Sequence, residues 1–310
     1  MSVALQVAIA GLAAGGVYGL VAVGYSLVFR LTGTIAFAFG DLIGLGVFAT
    51  LLVAVGTGPV SQTSIGGARY ALAVVSGLLI CIAVGVAGYL LVVEPFLLRG
   101  STVGWIAGTL ALAFAIRAVL QSVFPREAYV FPDPIPFERL GTDGFVEIGG
   151  ASIQIRAFYV IAVAIGLALG AVWLLERTRI GRGLRAIAED ADGARLVGVP
   201  VDLFVPIAFG LVGAIAALAA IVASPSAPVT AETWPLVGVK ALAAATVARF
   251  VLPWPALLAG LGLGVAEAAV AEVHVGSLQP GAGWSALLPL GLALAVLAAR
   301  PPDDARDDGE

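Results

Sequence analysis

The stretch ERTRIGRGLRAIAEDADGARLVGVPVD, residues 176–202, is the only long charged segment in the middle of a strongly apolar chain. It contains the arginines at positions 177, 179, 182, 185 and 195. The apolar runs on both sides of it approach or exceed roughly 20 residues, the length with which a helix crosses a bilayer. Arginine-rich loops stay on the cytoplasmic side of membrane proteins. The pattern therefore predicts a cytoplasmic loop between two membrane spans.

Within this loop, residues 182–196 predict a short helix. One side of the helix would carry an apolar stripe made of Leu184, Ile187, Ala188, Ala191 and Leu196. Arg185 lies four residues before Glu189, a spacing that favours a surface ion pair. Gly198 and Pro200 would end the helix. Because so short a helix is unstable alone, we expect it to dock on another surface. The alternative is a solvated loop with ordinary surface charges.

The composition excludes a soluble globular domain. Of the 310 residues, 60% are hydrophobic and 12% are charged, and this charged share is about half of that in soluble proteins. The mean hydropathy is +1.06. The 40 glycines suit helices that pack closely in lipid. We therefore expect an all-α polytopic membrane protein with eight or nine transmembrane helices.

Nine apolar runs are candidate spans. They cover residues 5–29, 34–55, 70–92, 101–124, 157–175, 202–223, 236–252, 253–272 and 284–299. The seventh and eighth adjoin at the Pro-Trp-Pro of 253–255, so one of them could be a half-helix or a re-entrant segment. The first run is too long for a cleavable signal peptide and is expected to be the first span. A single transmembrane domain would then cover residues 1–300, and an acidic, disordered tail would cover 301–310.

The arginines predict the orientation of these spans. With nine crossings and the charged loop inside, the cytoplasmic side would hold the arginines at 30, 99, 177, 179, 182, 185, 195, 249, 300 and 306. The other side would hold those at 69, 126, 139 and 156. This bias predicts an inner or plasma membrane protein whose N-terminus is outside and whose C-terminus is cytoplasmic.

Residues 125–156 form the one sizeable external loop. Its first part, PDPIPFERLGTDG, is rich in turn residues. The following FVEIGGASIQIR alternates around Gly149 and Gly150, which predicts a small β-hairpin. The loop could be a passive linker or a docking surface for an external partner.

The chain carries no recognisable catalytic signature. It has no phosphate-binding Gly-x-x-x-x-Gly-Lys-Ser/Thr sequence, and its only lysine is Lys240. His274 is the only histidine and Cys81 the only cysteine, which predicts no metal site and no intrachain disulfide. We expect a protein that is not an enzyme, has no cofactor and binds no nucleic acid. If it drives transport with ATP, the ATPase must be another polypeptide.

Charged residues inside the predicted spans are candidates for function, because a charge in lipid costs several kcal/mol unless it faces a partner or a cavity. They are Asp41, Arg117, Lys240, Glu267 and, at the end of a span, Glu272. Lys240 and Glu267 could form a buried ion pair, or they could line a transport path. Both roles could hold at once.

Several segments together resemble one known family. In the charged loop these residues are Gly181, Arg182, Arg185, Ala186, Glu189, Asp190, Ala194 and Gly198. Elsewhere they are the segments 15–20 (GGVYGL), 23–29 (VGYSLVF), 35–41 (IAFAFGD), 239–245 (VKALAAA), 263–267 (LGVAE) and 297–301 (LAARP). These segments are similar to those of permease subunits of branched-chain amino-acid ABC transporters, and they are spread over nearly the whole chain.

The resemblance implies an amino-acid importer. Its partners would be ATP-binding subunits, a second permease subunit, an extracytoplasmic substrate-binding protein and the lipid bilayer. The eight loop residues just given would contact the ATPase. The translocation path would involve Phe37, Phe39, Asp41, Lys240 and Glu267.

The chain also departs from the family pattern. Ala36 and Phe39 stand where the family usually has asparagine and histidine. Residues 248–250 and 253–255 replace two glycine-rich turns. These differences suggest a divergent branch whose substrate need not be leucine, isoleucine or valine. An ion-coupled secondary transporter, with Asp41 and Glu267 as coupling carboxylates, is the alternative function, and a scaffolding membrane protein is a third.

Overall fold

The computed structural model describes residues 2–57, 66–97, 102–125, 128–131, 145–148, 151–224, 229–251, 253–272, 291–292 and 295. Within these residues, six helices are long and apolar enough to cross a membrane. They are α1 (Ser2–Thr32), α3 (Gly67–Gly88), α5 (Thr102–Val123), α6 (Ile155–Arg177), α9 (Val201–Ala223) and α11 (Trp254–Ala271). The predicted all-α polytopic membrane fold is confirmed.

Five further helical segments complete the described part of the bundle. Two are short apolar helices, α2 (Phe39–Ala54) and α10 (Thr233–Val247). Helix α3 continues through one π-helical turn, Tyr89–Val93, into α4 (Glu94–Leu97). The charged loop folds into α7 (Arg179–Glu189) and α8 (Ala191–Leu196). The predicted ninth span at 284–299 and the tail at 301–310 lie almost wholly outside the described residues.

Helix α2 begins inside the bundle rather than at its edge. The prediction placed its start at residue 34, but the chain first turns at Gly33, which has a φ of +69°, and α2 starts only at Phe39. The Phe39 ring then packs edge-on against Tyr25 of α1, with 4.7 Å between the ring centres. A Cβ atom added to Gly24 would lie 2.6 Å from the same ring. A glycine in α1 therefore makes room for the first turn of α2.

A close and extensive backbone contact joins α1 and α11, which run antiparallel. A Cβ atom added at Gly15 would lie 2.8 Å from the Cα of Leu261, and one at Gly11 would lie 2.6 Å from the Cα of Val265. On the opposite helix, added Cβ atoms at Gly260 and Gly264 would meet the backbone of α1. Small residues spaced four apart let two main chains touch in this way.

The predicted β-hairpin is present. Strand β1 (Phe145–Ile148) pairs antiparallel with β2 (Ala151–Gln154), and Ile148 is the register partner of Ala151. Strand β2 leads directly into α6. An isolated bridge between Tyr129 and Val229 lies in the connections at the same end of the bundle.

The bundle has two distinct ends. Helices α1 and α6 run in the same direction, because Ile9 packs with Ala157 and Ile161 while Gly16 approaches Ala164. The start of α1 therefore lies beside the hairpin, at what we call the hairpin end. Helices α7 and α8 lie at the opposite, loop end. There the Phe250 ring, just after α10, stacks on Phe29 of α1 with 4.1 Å between ring centres.

We predict that Gly15→Ala and Gly260→Ala destabilise the protein by about 1–3 kcal/mol each, because the added methyl group forces two main chains apart. Gly262→Ala on the same α11 is the matched control, since no atom lies within 4 Å of its added Cβ. Thermal unfolding in detergent measures the effect. If all three variants had the same unfolding temperature, the α1–α11 contact would not be tight.

Candidate functional site

Lys240 and Glu267 form a buried ion pair near the middle of the bundle. The Lys240 ammonium donates to Oε1 of Glu267 and, at 3.4 Å, to the hydroxyl of Tyr18. The two charged side chains are only 12% and 16% exposed. Helices α1, α10 and α11 each contribute one member of this cluster. Of the two roles that the sequence left open for these charges, the structure contains the ion pair. The second carboxylate oxygen of Glu267 is buried and has no hydrogen-bond partner among the described residues.

A second intramembrane ion pair joins Asp41 of α2 to Arg117 of α5. The Arg117 Nε and Nη2 atoms donate to the two carboxylate oxygens over 3.0 and 3.3 Å. Asp41 is buried in the first turn of α2, where the helix dipole also favours a negative charge. The Arg117 guanidinium lies 5.7 Å from the centre of the exposed Phe114 ring. Both charges stand out in the apolar sequence, but no local signal pairs them.

The two ion pairs flank one helix crossing. A Cβ atom added at Gly40 of α2 would lie 3.3 Å from the Cα of Gly238 in α10. Asp41 follows Gly40 directly and turns to α5, whereas Lys240 lies two residues beyond Gly238 and turns to α1 and α11. Each helix of the α2–α10 crossing thus forms an ion pair with a further helix, α2 with α5 and α10 with α11.

The two phenylalanines expected on a path have different surroundings. Phe37 precedes α2 and is 37% exposed, so it can face a path or a partner. Phe39 is buried, and its ring supports the first turn of α2 against α1. Glu272, the charge at the end of a predicted span, lies immediately after α11.

The charged loop contains two helices, not the single helix predicted over 182–196. Asp190 has an extended backbone, with φ −156°, and its Oδ1 accepts hydrogen bonds from the backbone N–H groups of Asp192 and Gly193. Its side chain thereby caps α8 and interrupts the helix. Thr178 caps α7 in the same manner, because its hydroxyl accepts from the Gly181 N–H. Gly198, with φ +88°, ends the segment as predicted.

The apolar side of α7 and α8 faces the protein's own spans, which are a surface on which this loop docks. Gly181, Leu184, Ile187 and Ala194 are buried. An added Cβ at Gly181 would meet the carbonyls that end α6, and one at Gly183 would meet the ring of Phe204 in α9. The buried residues therefore fix the loop to α6 and α9.

The opposite side of the loop is exposed and mostly charged. Of the residues that the family resemblance singled out, Arg182, Arg185, Glu189 and Asp190 are exposed, and Ala186 is half-buried. Leu196, expected in the buried stripe, is instead 89% exposed, and Val197 beside it is 78% exposed. Arg195 binds both Asp192 and Asp202 over 3.3 Å and so ties the end of α8 to the start of α9. An apolar tip thus projects from a charged surface.

The described residues contain no group of three or more histidine, cysteine or acidic side chains that could hold a metal ion. Cys81 is buried, and its thiol lies 3.5 Å from the carbonyl of Leu42. His274 falls outside the described residues.

Comparison with known proteins yields a family and two relatives. A family model described as "Branched-chain amino acid transport system / permease component" matches residues 7–297. The high-affinity branched-chain amino acid transport system permease protein BraD of Pseudomonas aeruginosa is 28% identical over 310 residues, covering 96% of this chain and 94% of BraD. The permease protein LivH of the corresponding system of Escherichia coli K12 is 24% identical over 274 residues, or 85% of each chain.

Among solved structures, a chain of PsaBC from Streptococcus pneumoniae in complex with Fab aligns with 94% of this chain and 91% of its own. The TM-score is 0.47 and the sequence identity is 16%, which is too weak to establish a common fold.

We predict that Lys240→Met or Glu267→Gln alone destabilises the protein by roughly 3–5 kcal/mol, because each leaves one uncompensated buried charge. The double variant should lose much less stability than the two single variants lose together. A double-mutant cycle of thermal unfolding in detergent measures this coupling. The exposed pair Arg195–Asp202 is the control, and its coupling should stay below about 1 kcal/mol. If the stability losses of the Lys240 and Glu267 variants were additive, the ion pair would contribute nothing to the stability of the protein.

Proposed function

The chain belongs to the family of branched-chain amino acid transport system permease components, and on this premise we propose how it works. It is the membrane permease subunit of an ABC importer, and its ATPase is a separate subunit. Two permease chains enclose the path, and an extracytoplasmic binding protein delivers an amino acid of the branched-chain type or a close relative. The ion-coupled alternative has no support from the family, and both carboxylates that it needs are engaged in ion pairs.

The two-sided structure of α7 and α8 is the main support for the proposal that this loop couples the ATP-binding subunit to the membrane spans. Their buried side is packed on α6 and α9, while Leu196 and Val197 project from the other side beyond a rim of charges. Apolar anchors that enter a pocket, surrounded by charged residues, are the usual centre of a protein interface. We assign Leu196 and Val197 as the anchors for the ATP-binding subunit. Arg182, Arg185, Glu189 and Asp190 then set register and partner choice.

This arrangement also explains how movement would pass from the ATPase to the spans. Gly181 has no room for a side chain, so the start of α7 lies directly on the last carbonyls of α6. Leu184 and Ile187 add an apolar contact with the same part of the bundle. A shift of α7 and α8 must therefore displace the ends of α6 and α9. Rigid displacement of packed elements is a common way to switch access between two sides.

The distribution of arginines supports a cytoplasmic loop end. Among the described residues, the loop end carries the arginines at 30, 177, 179, 182, 185, 195 and 249, and the hairpin end carries those at 69 and 156. A membrane protein keeps its arginine-rich end in the cytoplasm. The N-terminus and the hairpin are therefore assigned to the outside, where the hairpin end would meet the binding protein.

Four of the five candidate path residues, all but Phe37, lie inside the bundle. Phe37 reaches the surface of the single chain, where a second permease would lie. Asp41, Lys240 and Glu267 are held in ion pairs and would give the path its charge, with the free oxygen of Glu267 as an acceptor. Phe39 would act indirectly by fixing the start of α2.

The orientation is tested by cysteine labelling in cells and inside-out vesicles. A membrane-impermeant maleimide should label Gln154→Cys from outside and Val197→Cys only from the cytoplasmic side. The native Cys81 is buried, so the unmodified protein is the background control. The reverse pattern would invert the proposed topology.

Docking is tested by the double variant Leu196→Ser/Val197→Ser. We expect co-purification of the ATP-binding subunit to fall at least tenfold, since losing an interface anchor costs about 2 kcal/mol or more. Uptake should fall with it at unchanged membrane abundance. Ile180→Ser, at a 39% exposed apolar residue in the same loop, is the matched control. Normal ATPase binding by the double variant would exclude these two residues as anchors, and full uptake in cells without any ATPase would refute the importer function.

A further inference from the structure

Arg117 of α5 is incompletely covered by its own chain. Its Nε and Nη2 atoms donate to Asp41, whereas Nη1 makes no hydrogen bond within the part of the chain that the structure describes. The Arg117 side chain is 30% exposed, but that of Asp41 is only 6% exposed. One edge of the guanidinium group therefore faces away from the bundle, beside the ring of Phe114, which is itself 64% exposed.

This edge lies at about half the depth of the membrane-spanning bundle. Helices α2 and α9 both run from the loop end towards the hairpin end, and they meet where Gly46 approaches Ala217. Asp41 and Val212 precede these two residues by the same number of positions, so they lie at one level. Val212 is the middle residue of α9 (Val201–Ala223), about 16 Å from either end at 1.5 Å per residue. The ion pair is therefore far from the water on both sides.

Lipid is a poor cover for the exposed edge of Arg117. A hydrocarbon chain offers no acceptor for the remaining N–H groups, so leaving them in lipid is strongly unfavourable. A long basic side chain near a helix end can reach the interface instead, but Arg117 is held at mid-depth by its two hydrogen bonds to Asp41. Charged residues within spans face protein or a water-filled cavity. This side of α5 is therefore covered by one of these two.

The residues around Arg117 favour protein over water. The exposed side chains of Leu110 and Phe114 lie on the same side of α5 and would stay in contact with water in an open channel. An arginine next to an aromatic ring is instead typical of the centre of a protein interface. Alanines at this spacing also let another helix approach closely; the exposed alanines of α5 are at positions 107, 111, 115 and 118.

The segment before α2 lies against the start of the same helix. Trp105, in the first turn of α5, is buried, and its indole N–H donates to the carbonyl of Ile35 over 3.1 Å. Phe37 follows Ile35 closely and is 37% exposed. The exposed ring of Phe37 is therefore near the start of α5, on the part of the bundle to which Arg117 also belongs.

We propose that the exposed side of α5, centred on Phe114, Arg117 and Ala118, packs against the second permease chain. The free edge of Arg117 donates to an oxygen acceptor on a membrane-spanning helix of that chain. Arg117 thus binds Asp41 within its own chain and the acceptor across the interface. The proposal rests on the proposed function, which requires two permease chains, and it names the surface and the charged residue through which they meet.

Photo-cross-linking in cells that contain the complete importer tests this surface. With p-benzoylphenylalanine in place of Ala118, we expect an adduct of two permease chains, identified by mass spectrometry. The same substitution at Leu169, which is 42% exposed near the middle of α6, is the matched control, and we expect it to lose this adduct. Equal yields from the two positions would overturn the proposal. Adducts of position 118 with lipid alone, or with residues 284–299 of the same chain, would also overturn it.

A charge-neutral double variant tests Arg117 itself. Arg117→Met/Asp41→Asn removes the guanidinium group and leaves no buried charge without its partner. Co-purification of the second permease chain with the tagged variant should fall about tenfold, the change expected when one hydrogen bond to a charged group is lost. Leu169→Asn, a polar substitution on α6, is the control and should co-purify the second chain normally. Unchanged co-purification by the double variant would exclude Arg117 as the contact.

Thermal unfolding in detergent checks that the double variant is folded, and the cross-linking at position 118 decides the matter if it is not. The proposed function and the proposed surface fail in different ways. Uptake that depends on the ATPase, together with no contact between position 118 and a second permease chain, would refute the surface alone. Uptake that needs neither an ATPase nor a second permease chain would refute the proposed function.

Discussion

The direct contact between the backbones of α1 and α11 is the constraint on which the centre of the bundle depends. Lipid is as apolar as the helix surfaces, so helices in a membrane associate through close packing and internal polar contacts. Glycines on both helices allow the main chains to meet, and this brings Tyr18 and Glu267 within reach of Lys240. A wider spacing would remove the acceptors of a buried ammonium group, for which lipid offers no replacement.

The requirement that buried polar groups find partners within the protein also explains how two short helices are stable inside the membrane. Helices of 16 and 15 residues, α2 and α10, span only about 24 Å at 1.5 Å per residue, less than the hydrocarbon thickness of about 30 Å. A helix end inside a bilayer is tolerated only where protein covers it. Tyr25 and Phe39 cover the start of α2, and Asp41 adds a negative charge at the positive end of its dipole. Arg117 then balances that charge from α5.

Sequence patterns predicted the features that depend on local composition. The six long helices, the antiparallel strands β1 and β2, and the possibility of a Lys240–Glu267 pair followed from apolar runs, alternation and the cost of buried charge. The predicted spans at 34–55 and 236–252 are instead the short helices α2 and α10. The Asp41–Arg117 pair was missed because its members are 76 residues apart and no local signal joins them. Asp190 was placed inside one helix, although aspartate is among the preferred N-caps and could have indicated the break. The apolar stripe of α7 is buried against α6 and α9. Periodicity within the loop cannot predict where those helices lie.

Helix α9 connects the charged loop to the part of the bundle that holds the ion pairs. At its start, α9 meets α7 through the ring of Phe204, which fills the space beside Gly183. Along its length it packs on α2 and α3, where Ala217 approaches Gly46 and Gly213 lies against the carbonyl of Cys81. These contacts leave no space for α9 to move without its neighbours, since close-packed interiors transmit displacement. Movement of the loop would therefore reach α2, and with it the Asp41–Arg117 pair. It would also reach α1, which packs on α9 and carries Tyr18 of the Lys240–Glu267 cluster.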